Sequence, residues 1–210
     1  RMPVDSFIDR YCSGKPESIP GSRFNYNNGD YILLGKIIEQ VTGQTFATNL
    51  SQLILTPLGM KSTQMLASGD VIDHLAETYN RDDSTGVFYK DEPMYIESYY
   101  SAGAMYATVS DIFLFDKALF GGKLLGKAMM DVMLTPRNEL GGVAYGFWVY
   151  NTTIAGSEVW VANRQGSIWG ANANWTHIID GNAVAIVLSN TNATNLVALT
   201  NDLLAEHLKK

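Results

Sequence analysis

A polar opening, punctuated by turn residues at Ser13-Gly14-Lys15-Pro16 and Pro20-Gly21-Ser22, gives way abruptly to apolar sequence at Tyr31. Ile32, Leu33, Leu34, Ile37, Ile38 and Val41 recur at helical spacing, with Asn28 and Asp30 as cap or first-turn residues and Gly43 as the stop. This pattern predicts a mostly buried helix. A shorter helix is expected over residues 45–55, closed by Pro57 and Gly59. Residues 69–100 are polar, aromatic and without period, a loop-rich excursion with Asp82-Asp83-Ser84-Thr85-Gly86 as a turn or hairpin tip. Ser110-Asp111 reads as an N-cap and first-turn acid before Ile112, Phe113, Phe115, Leu119 and Phe120, with Gly121-Gly122 as terminator. A further helix is expected over Lys127 to Leu134, stopped by Pro136.

From Gly142 the texture becomes that of strands. Residues 143–150, 158–164, 171–179 and 183–189 are aromatic or β-branched and separated by Gly, Asn and Asp turns, with Asp180-Gly181 a hairpin signal. The closing stretch carries Leu196, Leu199, Leu203, Leu204 and Leu208 on one helical face. A helix packed on an antiparallel sheet, with a helical lobe besides, places the chain in the α/β class, of α+β type. The division expected is residues 1–141, mostly helical and including a Tyr-x-Asn segment, and residues 142–210, the strands and C-terminal helix.

Composition narrows the function. With 210 residues, 46% hydrophobic and 17% charged, the chain is long enough for a substantial core. Its net charge of −6 and lack of Lys/Arg runs argue against nucleic acid or an anionic membrane as partner. No run of about eighteen apolar residues suggests a membrane span, and no charged-then-apolar opening suggests a signal peptide. One cysteine, Cys12, and three scattered histidines, His74, His177 and His207, show no metal-ligand spacing, so no metal or other cofactor is implied and the histidines read as surface or hydrogen-bonded structural residues.

Two segments have chemical potential. In Phe24-Asn25-Tyr26-Asn27-Asn28-Gly29, an extended backbone would project Tyr26 and Asn28 the same way, into one cleft. The plainer reading is a helix-capping asparagine beside a packed tyrosine. In Arg164-Gln165-Gly166-Ser167, a cation at a strand end followed by a glycine suits capture of a carboxylate or another oxyanion; the plainer reading is an ordinary hairpin with a solvated arginine.

The order of these segments is informative. Tyr26-Asn27-Asn28 precedes a long apolar helix. Pro57-Leu58-Gly59-Met60-Lys61-Ser62-Thr63 comes next, then Ser101-Ala102-Gly103-Ala104-Met105-Tyr106-Ala107-Thr108 with Asp111, and finally Arg164-Gln165-Gly166 before the closing strand and helix. This succession resembles the class C β-lactamase, D-alanyl-D-alanine carboxypeptidase and related esterase superfamily, from about Pro20 to the C-terminal helix. The resemblance implies a β-lactamase/transpeptidase-like fold and a penicillin-binding type of serine hydrolase. Such enzymes act on β-lactam, D-amino-acid peptide or ester carbonyls through an acyl-enzyme, with small-molecule or peptidoglycan-like substrates and a periplasmic or extracellular location.

By the same resemblance, Tyr26 would be general base or proton shuttle and Asn28 would hold the substrate amide. Arg164 would take the cationic position of the strand triad Arg164-Gln165-Gly166. Gly166 would admit the substrate closely, and the Ser167 N–H would be one oxyanion donor. A phenol of pKa about 10 is only about 0.1% ionised at neutral pH, so Tyr26 needs cations beside it. Arg164 would supply charge but, unlike Lys or His, exchanges no proton near neutrality.

The family's nucleophile is a Ser-x-x-Lys, in which one helical turn sets hydroxyl and amine side by side. No serine or threonine in this chain has a lysine three residues later. With Arg1 at its start, the chain is expected to be a partial chain of a longer enzyme, inactive alone. The alternatives are a complementary N-terminal fragment as a second chain, or a non-catalytic pseudoenzyme that keeps the fold as a binding or interaction module.

Overall fold

The computed structural model describes residues 2–181 and 183–209. Helices α1 (Val4–Tyr11), α2 (Asn28–Thr42), α3 (Phe46–Leu50) and the single turn α4 (Thr56–Leu58) come first. Four short strands follow, β1 (Gln64–Met65), β2 (Tyr79–Arg81), β3 (Phe88–Lys90) and β4 (Met105–Tyr106). Helices α5 (Val109–Phe120) and α6 (Lys127–Leu134) lead to β5 (Trp148–Ile154), β6 (Ser157–Ile168), β7 (Ala171–Ile178) and β8 (Ala183–Ser189), and α7 (Leu196–Leu208) comes last. The result is a mixed α/β architecture with antiparallel sheets. It divides into two compact units, Arg1–Asp73 with Pro93–Phe115 and His74–Glu92 with Asp116–Lys210.

In the first unit the polar opening begins with α1, ahead of the turn residues at 13–16 and 20–22, and there Phe7 and Tyr11, one turn apart, bring their rings within 5.2 Å. Helix α2 is capped by Asn27 rather than Asn28. Asn27 is extended (φ −147°, ψ 125°), and its side chain accepts a 2.7 Å hydrogen bond from the Gly29 N–H. Gly43, at φ 69°, ends the helix in the left-handed conformation that glycine adopts without strain.

The expectation that α2 is mostly buried is corrected: only Gly29, Ile32 and Gly35 are buried, whereas Leu34 is 51% and Val41 80% exposed. The packed side is set by Gly35, where a Cβ would stand 2.6 Å from the Ser101 Cβ, so that glycine lets the 3₁₀ segment Ile96–Ala102 lie against the helix. Periodicity finds the apolar stripe but not which side a neighbour covers. The second expected helix is present over its expected span, as α3 to Leu50 and then a wider π-type helical segment at Ser51–Leu55 that runs on into α4; Pro57 is tolerated inside that last turn, and Gly59 (φ 70°) makes the stop.

Asp111 ties this unit together. Its Oδ2 accepts 2.8 Å bonds from the Ser62 N–H and the Thr63 hydroxyl, while its own N–H donates to the Thr108 hydroxyl at 3.2 Å. Thr108, not Ser110, therefore caps α5, with Ser110 already inside the helix. Strand β1 pairs antiparallel with β4 alongside, Gln64 opposite Tyr106.

In the second unit, β2 and β3 form the hairpin expected around residues 82–86. Asp82 accepts bonds from the Ser84 hydroxyl and the Ser84 and Thr85 N–H groups, which hold its carboxyl down at about 2. Strands β5–β6–β7–β8 make one antiparallel sheet in sequence order, with Val161 opposite Tyr150 on one side and Ile178 on the other. Ile154, Val161, Ile178, Ala183, Ala185 and Leu204 form its core against α7. The packed face of α7 is Leu196, Thr200 and Leu204; Leu203 and Leu208, expected on that face, are 48% and 40% exposed. The i, i+4 ladder through Thr200 wins because that hydroxyl joins a buried polar network on β6 and β7.

Candidate functional site

The structure sets the candidate residues in two places, one in each unit. In the first, Tyr26 and Asn28 flank the extended Asn27 at the head of α2. Asn27 performs the capping, so Asn28, the first helical residue, is not spent as an N-cap; it is exposed, and Tyr26 is 52% exposed. The capping-asparagine reading thus belongs to the neighbouring residue. Gly29 behind them is buried, and a Cβ there would lie 3.1 Å from the Cys12 sulfur.

In the second unit, Arg164, Gln165, Gly166 and Ser167 lie inside β6, on one arm of the β6–β7 hairpin and not at a strand end. The strand runs on to Ile168, and the turn is Trp169-Gly170, with Trp169 at φ 52°. Gly170 has no room for a side chain, since a Cβ would be 2.6 Å from the Tyr79 carbonyl carbon. Residues 164–167 pair with Trp175, Asn174, Ala173 and Asn172 of β7. Pairing with β5 stops at Asn163 opposite Trp148, so this stretch has a strand partner on one side in the described ladder. Gln165, Gly166 and Ser167 are exposed and Arg164 is partly so. A Cβ on Gly166 would meet only the Ala173 Cβ, at 3.9 Å, so the fold itself makes no demand for glycine there.

Supporting residues escape a sequence reading. The Arg164 guanidinium lies 5.5 Å from the centre of the Trp148 ring, a cation–π distance. Gln165 donates to the Asn163 side chain at 3.2 Å, and Asn163 begins a ladder of buried polar groups. Its amide donates to Asn174 Oδ1 (3.0 Å) and Thr176 Oγ1 (2.8 Å), and the Asn174 amide donates to the Thr200 hydroxyl (2.6 Å). Asn174 and Thr176 stand at i, i+2 on β7, as Asn163 and Gln165 do on β6, and that alternation of polar side chains was the available signal.

His177 also has a definite place. Its Nδ1 lies 2.9 Å from Asp116 Oδ1, which accepts a 2.7 Å bond from the Trp175 indole, and all of this is within the second unit. The signal for it was an acid, Asp116, one turn from Phe120 and within the run Ile112 to Phe120, where the other residues besides Lys117 are apolar. Among the described residues, no group of three or more His, Cys, Asp or Glu is placed to hold a metal ion, and no helix is long and apolar enough to cross a membrane.

Comparison with known proteins agrees with this architecture. Penicillin-binding protein 4* of Bacillus subtilis is 27% identical over 200 residues, covering 89% of this chain and 44% of the relative. Teichoic acid D-alanine hydrolase of Staphylococcus aureus is 31% identical over 112 residues, 53% of this chain and 25% of that protein. The chain thus spans less than half the length of the curated relatives it matches. In fold it resembles the octameric penicillin-binding protein homologue from Pyrococcus abyssi, with a TM-score of 0.82 at 23% identity, over 99% of this chain and 48% of the other. The family model for beta-lactamase matches residues 2–209, and the chain belongs to that family.

Proposed function

We propose that this chain is the Tyr26- and Arg164-bearing part of a penicillin-binding type of serine hydrolase, which opens β-lactam, D-amino-acid peptide or ester carbonyls through an acyl-enzyme. The observation that carries the reading is Gly166: an exposed glycine inside a strand, where the fold has room for a side chain, next to Arg164 and Ser167 on a stretch without a β5 partner. A bare strand edge offers backbone N–H groups to a carbonyl oxygen, and a nearby guanidinium draws an anionic substrate group. In this reading Tyr26 moves the nucleophile's proton, Asn28 holds the substrate amide, Gln165 and Gly166 form the strand's substrate-facing edge, and the Ser167 N–H stabilises the oxyanion. The relatives named penicillin-binding protein and teichoic acid D-alanine hydrolase support D-alanyl substrates and an extracytoplasmic setting.

The nucleophile would come from a Ser-x-x-Lys segment outside these 210 residues, on the same polypeptide or on a complementary fragment, and the chain alone would be inactive. The other reading, a non-catalytic binding module, is favoured by Arg164, a cation that cannot exchange protons near neutrality. Intact mass spectrometry of the native protein, after a fluorescent penicillin and separately a fluorophosphonate, tests between them. One acyl adduct on a polypeptide carrying Ser-x-x-Lys is expected; no adduct with either probe would leave the binding module.

A further inference from the structure

We propose that the second unit also holds a binding site for a small apolar molecule bearing one hydroxyl, an alcohol or phenol, in a cavity of about 330 Å³ at the Asp116–His177 pair. This inference does not rest on the acyl-enzyme reading. The cavity wall is Phe120, Leu125, Met130, Leu134 and Ile179, and His177 is the buried polar side chain that meets it. Its volume is at the low end of the roughly 300–1,000 Å³ of small-molecule sites, and an apolar wall with one placed polar group is their usual composition.

The pair is built to present one atom. Asp116 and His177 are each 2% exposed. The imidazole lies parallel to the Phe120 ring, 3.6 Å away and 4° from coplanar, which fixes its plane. Asp116 Oδ1 must accept from the Trp175 indole, a donor only, and as a carboxylate it also accepts from His177 Nδ1. With the ring neutral, that geometry puts its proton on Nδ1 and leaves the Nε2 lone pair as acceptor. The ligand therefore brings a donor.

An anionic head group is disfavoured by the charges present. The Asp116 carboxylate stands behind the ring, and Lys127, the cation on the cavity lining, has an 88% exposed side chain paired with Asp131 at 3.0 Å. A hydroxyl satisfies Nε2 without adding charge, and an aromatic or branched body fills the apolar wall. Packing alone would be served as well by an apolar residue at position 177, without the cost of burying an acid and an imidazole.

The test uses p-cresol, toluene and p-toluate with the full chain, read by calorimetry and by the imidazole ¹⁵N resonances of His177. Saturable p-cresol binding is expected, about tenfold tighter than toluene, with p-toluate weaker than p-cresol and a shift at His177 Nε2. His177→Phe should remove the preference for p-cresol while toluene still binds, and Leu134→Trp, which fills the cavity from its apolar wall and leaves both members of the pair in the sequence, should abolish both. Absence of saturable p-cresol binding, equal affinities for p-cresol and toluene, tighter binding of p-toluate, or binding unaffected by Leu134→Trp would each overturn the proposal.

Discussion

The carboxylate of Asp111 accepts the hydroxyl of Thr63 at 2.8 Å across a separation of 48 residues, with both side chains buried. The same oxygen takes the Ser62 N–H, so a single acid at the start of α5 holds the segment after Gly59 in place. Removing the acid strands the buried Thr63 hydroxyl and takes the acceptor from the part-buried Ser62 N–H. Asp111→Ala should cost about 3 kcal/mol and Thr63→Val about 1–2 kcal/mol in urea unfolding, since a hydrogen bond to a charged group is worth roughly 1.5–3 kcal/mol and an orphaned buried donor a similar amount. The double variant should cost less than the sum, because the two changes remove one shared interaction.

The order of the segments that this contact joins, 57–63 and 101–111, was plain in the sequence. Much of the second unit was equally plain. Residues 127–134 and 183–189 became α6 and β8 with the expected bounds, the first between Gly126 and the stop at Pro136, the second after the Asp180-Gly181 turn. Strand β5 begins at Trp148 rather than Val143 because Gly146 takes φ 83° and breaks the extended run. Strand β6 continues through Arg164-Gln165-Gly166-Ser167, which has the composition of a loop, because ladder bonds to β7 outweigh local propensity.

The two-residue spacing of Tyr26 and Asn28 was legible, and so was the glycine at 166. What no pattern could give is partnership across elements, such as Trp148 beneath Arg164 or Thr200 under Asn174. Those depend on sheet register and on which turn of a helix lands where.

Thr200 offers a sharp test of that buried ladder. It is fully buried, accepts from Asn174 at 2.6 Å and donates to the Val197 carbonyl at 3.0 Å. Thr200→Val keeps the shape and removes the partner, so a cost of about 1–3 kcal/mol is expected, and Thr200→Ser should recover most of it. Equal losses for both variants in denaturant titrations would assign the effect to packing and not to the hydroxyl.

Glu39 gives the first unit a pH dependence. Burial by itself raises its pKa, but contacts from the Tyr100 hydroxyl, the Lys36 ammonium (2.9 Å) and the Phe46 N–H (2.8 Å) outweigh that and hold the carboxyl below its ordinary value. The Tyr100 contact is the loosest, for that buried hydroxyl makes no hydrogen bond of standard geometry. Burial first, then Glu39, still push its phenol up. Lys36 is raised, chiefly by its bond to Glu39 and next by Asp5.

A carboxyl lowered on folding contributes stability that is full above its unfolded value, near 4.3, and lost as pH falls through the lower folded value. The raised ammonium contributes below about 10.4 and loses its share as pH rises through the higher folded value. Glu39→Gln should therefore cost about 1 kcal/mol at pH 7 and progressively less below pH 4, read from unfolding midpoints across pH. A penalty that is constant with pH would mean that shape, not charge, is what Glu39 supplies.

Two glycines at neighbouring positions should separate fold from function. At Gly170 a Cβ would collide with the Tyr79 backbone, which cannot move without breaking the Tyr79 N–H bond to the Asn190 carbonyl, so Gly170→Ala should destabilise by about 2 kcal/mol or more. At Gly166 the added methyl meets only Ala173 at an ordinary 3.9 Å, and a strand position favours alanine's smaller backbone entropy loss, so stability should hold within about 0.5 kcal/mol or rise. If the exposed edge of β6 receives a substrate backbone, that same methyl occupies the space the substrate needs. In the complete enzyme, Gly166→Ala should then slow acylation by a penicillin probe at least about tenfold with an unchanged melting temperature, a loss of about 1.4 kcal/mol in transition-state binding. Unchanged acylation would remove Gly166 from the site and with it the main support for the strand's role.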